Sequence, residues 1–68
     1  MKSENWKQRL LERTKNEGQK IVAVRLGVSQ ATISEWLNDK YKPSSKKVSK
    51  LADELGMEVS ILMEELSE

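Results

Sequence analysis

Between Ser29 and Asn38 the chain reads Ser-Gln-Ala-Thr-Ile-Ser-Glu-Trp-Leu-Asn. At helical spacing Ile33, Trp36 and Leu37 fall on one side, and Ser29, Gln30, Ala31, Thr32, Ser34, Glu35 and Asn38 fall on the other. The outward set offers hydroxyls, carboxamides, one carboxylate and one methyl on short stems. Its chemistry is hydrogen bonding and contact, suited to the base edges that a DNA major groove displays. Gln19, Ser29, Asn38, Lys40 and Lys42 suit phosphates instead: Gln19 stands at a helix N-terminus, and the two lysines lie in the loop after the reading helix. Bond-making chemistry lacks its parts. The chain has no His and no Cys, and it has no phosphate-cradling glycine loop. Glu64 and Glu65 read as ordinary surface charge, so no enzyme, no metal site and no cofactor are expected.

Several elements must hold these residues in place. Ser29 is a natural N-cap for a helix over Ala31 to Asn38. Upstream, Asn16 and Gln19 have capping-box spacing, and Ile21, Val22, Ala23 and Leu26 give a helix that Gly27 stops. Two helices crossing steeply need a small residue where they touch, which Ala23 supplies, and a backbone free to reach positive φ at the turn, which Gly27 supplies. Val22, Leu26, Val28, Ile33 and Trp36 fill the angle between them. Residues 19–38 thus form one reading unit. A first helix, capped by Ser3 and running to about Lys15, carries Trp6, Leu10 and Leu11 on its apolar face. The segment from Asn38 to Pro43 is the longest loop, where Tyr41 is expected to anchor its ring in the core. Ser44 or Ser45 opens a fourth helix with Val48, Leu51, Ala52 and Leu55 inward, up to Gly56. A last helix from about Val59 to Leu66 places Val59, Leu62, Met63 and Leu66 on one stripe. No segment alternates with the period of a strand, so the chain reads as an all-α, compact five-helix bundle.

Residues 1–68 suffice for one domain, and no ligand-sensing segment is expected beyond it. The longest apolar runs are too short to span a bilayer, which points to a cytoplasmic protein without membrane contact. Residues 1–50 hold all twelve Lys and Arg against five acids, a net of +7, whereas residues 51–68 hold six acids and no base. This division suggests one basic face toward a polyanion and an acidic end pointing away. Lys46, Lys47 and Lys50 read equally as a solvated face or as phosphate contacts. Ile21 and Val24 are expected to pack under the first or last helix; left exposed, they would offer a patch to another protein such as RNA polymerase. The last helix is more apolar than so small a bundle can bury, which points to a homodimer through residues 57–68.

The pattern of Gln19, Ala23, Gly27, Ile33 and Trp36, continued by Pro43-Ser44 and by Leu51-Ala52 to Leu55-Gly56, resembles the Cro and phage-repressor-type (XRE-like) helix-turn-helix family over most of residues 6–66. At the start of the second helix, Gly18 abuts Gln19 where members commonly have two intervening residues, a feature closer to phage activators of the lambda CII kind. The resemblance implies a lambda-repressor-like five-helix DNA-binding domain and a transcription regulator, with a repressor expected before an activator; small size and the expected lack of a sensor domain point to a phage or mobile element. It also implies binding as a dimer to two-fold operators. By family position Gln30, Ala31 and Glu35 would face bases: Gln30 bonding an adenine edge, Ala31 touching a thymine methyl, Glu35 accepting from cytosine. Thr32 and Ser34 share that face. The competing readings are an antitoxin or anti-repressor that uses the same helices to hold a protein, and an architectural factor that bends DNA.

Overall fold

A computed structural model describes residues 5–67. It contains helices α1 (Asn5–Glu17), α2 (Gln19–Leu26), α3 (Gln30–Leu37), α4 (Ser45–Leu55) and α5 (Val59–Leu66), with no strand among the described residues. This is the expected all-α architecture. Each helix lays its apolar stripe into one core: Trp6 and Leu10 from α1, Val22, Ala23 and Leu26 from α2, Ile33 and Trp36 from α3, Val48, Leu51, Ala52 and Leu55 from α4, and Leu62 from α5. In α1, α2 and α4 these residues recur at i, i+4 and in α3 at i, i+3, and burying these stripes is what holds such short helices together. Helix α1 touches all four others and so serves as the platform on which they are arranged. No helix among the described residues is long and apolar enough to cross a membrane.

The connections follow local backbone chemistry. Gly27 ends α2 and Gly56 ends α4, both in the left-handed conformation, with φ of 70° and 68°. Ser29 caps α3 through its hydroxyl. Ser44 is the N-cap of α4 by backbone geometry, without a side-chain cap bond. The connection between α1 and α2 differs from the sequence reading. Asn16 lies inside α1, which continues to Glu17, and Gly18 alone makes the break at φ 96°. The Gly18 N–H donates to the Thr14 carbonyl at 2.9 Å and its own carbonyl accepts from the Val22 N–H at 3.2 Å, so one glycine ends one helix and starts the next. The Ser3 cap lies outside the described residues.

Four other expectations are corrected. Ile21 and Val24 do not pack; they are 52% and 73% exposed. Val22, Ala23 and Leu26 already occupy the inward arc of α2, and residues one step before and after that arc point to the opposite side. On α5 the buried face is Leu62 and Glu65 with Leu66 partly covered, whereas Val59 and Met63 are exposed along with Ile61. Glu65 is therefore not surface charge: it is 8% exposed, and its Oε1 accepts the Trp6 backbone N–H at 2.9 Å. That amide is one of the orphan donors in the first turn of α1, and recruiting a carboxylate to it turns the α5 stripe toward 62, 65 and 66. Tyr41 does not anchor the core either; it is 61% exposed, and Pro43 is the loop residue that is buried.

Candidate nucleic-acid interface

Helices α2 and α3 meet at a turn fixed by its own backbone bonds. The Gly27 N–H donates to the Val24 carbonyl at 3.1 Å and the Val28 N–H to the Ala23 carbonyl at 3.0 Å. Val28 is half-buried against the core, and the chain then re-enters a helix at Ser29, whose Oγ accepts the Thr32 N–H at 3.1 Å. Ile33 and Trp36, inserted into the core, set the rotation of α3 about its axis. Because these two are held inside, Gln30, Ala31, Ser34 and Asn38 are exposed on the opposite side, with Thr32 and Glu35 half-buried at its borders. A short helix with one anchored apolar face and one small, polar outer face is the element a major groove admits.

The side chains expected to meet bases sit on this surface in different states. Gln30 and Ala31 stand at the start of α3, exposed, next to the helix N-terminus. Thr32 is engaged locally, its Oγ1 3.0 Å from the Ser29 Oγ. Ser34 is tied to the far end of the helix: Asn38 Nδ2 donates to its carbonyl at 2.8 Å and to its Oγ at 3.4 Å. Glu35 shares the outer border with them. Among the residues expected to meet phosphate, Gln19 donates from Nε2 to the Gln30 carbonyl at 3.3 Å, which ties the first residue of α2 to the first of α3. Ser29 holds the α3 cap. Lys40 is exposed in the loop, its backbone N–H donating to the Glu35 carbonyl at 2.9 Å. Lys42 is exposed, and its Nζ donates to the Leu66 carbonyl at 2.6 Å, at the end of α5.

Residues without a local sequence signal shape the surroundings. Asp39, in the left-handed region at φ 62°, places a carboxylate just past the reading helix, and Lys7 of α1 forms an ion pair with it. Arg25 of α2 bridges Glu17 of α1 and, at 2.6 Å, Glu54 of α4. Lys47 of α4 reaches the α2–α3 turn itself. These partners lie 8 to 32 positions apart in the chain, so only the fold brings them together.

A family model described as helix-turn-helix matches residues 19–62, from the first residue of α2 into α5. Comparison with curated proteins and with solved structures gives no match. The matched stretch takes in the reading unit, the loop after it and the whole of α4, which are the elements that orient α3. The chain belongs to the helix-turn-helix family of the Cro and phage-repressor (XRE-like) type, a family of DNA-binding transcription regulators.

Proposed function

We propose that this chain binds double-stranded DNA sequence-specifically by placing residues 29–38 in the major groove of an operator half-site, and that it acts as a transcriptional repressor. The carrying observation is the anchored α3, whose exposed face is Gln30, Ala31, Ser34 and Asn38. In this reading Gln30, Ala31, Thr32, Ser34 and Glu35 contact bases, and Gln19, Ser29, Asn38, Lys40 and Lys42 contact phosphates or support the groups that do. Repression needs only that an operator be occupied, and residues 1–68, taken as one domain, carry the means for that. A homodimer through residues 57–68 would set two reading helices about 34 Å apart, one turn of duplex. The exposed Val59, Ile61 and Met63 support that contact, since a lone chain leaves them in water.

A second reading rests on Ile21 and Val24. Their exposed side chains on α2 give a bound regulator an apolar contact for RNA polymerase or another protein on the same DNA, which would make it an activator. The deciding experiment is selection of bound duplexes from a random library at physiological salt, followed by titration of the selected sequence across ionic strength. A palindromic selection with a steep salt dependence supports the dimeric operator reader. Absence of any enrichment overturns it and brings forward a protein-binding module of the antitoxin or anti-repressor kind.

A further inference from the structure

Lys47 stands in the first turns of α4, yet its ammonium is used elsewhere. Its Nζ lies 3.4 Å from the Leu26 carbonyl oxygen and 3.3 Å from that of Gly27. These are carbonyls at the C-terminal end of α2, where the helix has no further amides to satisfy them and where its dipole is negative. The basic residue in the last turn of α2, Arg25, is engaged with Glu17 and Glu54 instead. The lysine lies directly against the turn: a Cβ on Gly27 would stand in ordinary contact with Lys47 Nζ, at 3.4 Å, and 4.0 Å from Lys50 Nζ, so the glycine is required there by its positive φ and not by the lysine. Helix α4 is a firm base for the reach, since Val48, Leu51, Ala52 and Leu55 fix it in the core. Helices α2 and α3 have eight residues each, a length that does not sustain a helix by itself. The turn is closed by its own backbone bonds, and a side chain that holds the carbonyls at 26 and 27 adds to what fixes the angle between the two helices.

We infer that Lys47 is a positioning residue for DNA reading: its ammonium clips the backbone at 26–27 to α4 and so sets the direction in which α3 leaves the turn. This rests on the DNA-binding role proposed above. It assigns Lys47 a task distinct from the phosphate contact or solvated surface that its sequence position suggests. Lys46 and Lys50 are both exposed, and Lys50, one turn on from Lys47, has its Nζ near Gly27 without a hydrogen bond to the turn carbonyls.

The test compares Lys47→Met, which keeps the length of the side chain and removes the charge, with Lys47→Arg, which keeps the charge. Amide hydrogen exchange is followed in the DNA-free protein, and affinity is measured for the selected duplex and for an unrelated one across ionic strength. In Lys47→Met the Gly27 and Val28 amides should exchange roughly tenfold faster, the effect of losing one charged hydrogen bond, while amides in α1 keep their rates. Affinity for the selected duplex should fall by about the same factor, with the unrelated duplex and the salt slope unchanged. Lys47→Arg should restore most of both. Equal weakening on the two duplexes, with the salt slope reduced by about one, would identify a phosphate contact and overturn the inference. So would unchanged exchange at the turn, or exchange that rises equally throughout the molecule. Should the wild-type protein select no duplex, the DNA reading fails by itself, and the exchange at Gly27 and Val28 still decides whether the clip exists.

Discussion

Gln30 is the side chain on which the base-reading model depends most directly. Exposed at the start of α3, it carries both a donor and an acceptor, and a glutamine in that position can bond an adenine edge with both. Gln30→Ala should therefore cost about 1–3 kcal/mol on the selected duplex and relax preference at a single base pair, which competition with all four pairs at each position would reveal. A loss shared equally by every duplex would mean that α3 is not seated as proposed. Glu65 tests a structural claim instead. With the carboxylate removed in Glu65→Ala, the Trp6 N–H is left in a place where water reaches poorly, and stability should drop by about 1–3 kcal/mol. Denaturant titration would show this as a lower midpoint at unchanged slope.

At the level of elements, the reading unit was legible because its constraints are local. Ser29 caps within its own turn, Gly27 must take positive φ, and the inward residues Ile33 and Trp36 recur at helical spacing. Helix α4 was legible from its own spacing, with Val48, Leu51, Ala52 and Leu55 inward and Gly56 at positive φ, and α5 only in its extent. What the sequence hid was set by groups distant along the chain. The stripe 59, 62, 63, 66 is a sound periodic pattern, but burial follows Leu62 and Glu65 because a carboxylate is drawn to the start of α1. The break between α1 and α2 was misread because Asn16 and Gln19 have cap spacing, whereas Gly18 makes a one-residue connection that needs no cap side chain. Ile21 and Val24 were expected to be buried on hydrophobicity alone, yet a helix of eight residues has room for only one inward arc. Their exposure gives a clean prediction. Replacing both by serine should change stability by no more than about 0.5 kcal/mol per site and leave DNA affinity intact. If the second reading of the function is correct, transcription measured from a promoter bearing the selected site should lose its activation in that double variant.

For the whole molecule, the division into a basic first part and an acidic last part is only partly carried to the surface. The Arg25–Glu54 bridge joins the two, and Lys42 is tied to the end of α5, whereas Lys20, Lys40, Lys46 and Lys50 are exposed. The described residues span 29 × 21 × 20 Å, a size that suits one half-site per copy against the repeat of roughly 34 Å for a duplex turn. Sedimentation on a duplex carrying two half-sites should give two chains per DNA, and Ile61→Lys should reduce that to one while sparing binding to a single half-site. A strict monomer both free and on the full site would remove the dimer. The Glu65 to Trp6 bond closes a span of 59 positions and brings the first turn of α1 against the last turn of α5. From residue 6 to residue 65 the backbone is thus nearly a ring already. Closing the described segment, residues 5–67, into a circle through a short flexible peptide should leave the native arrangement unstrained while depriving the unfolded chain of much of its freedom. The circular protein should then be more stable than the linear one by about 2–4 kcal/mol.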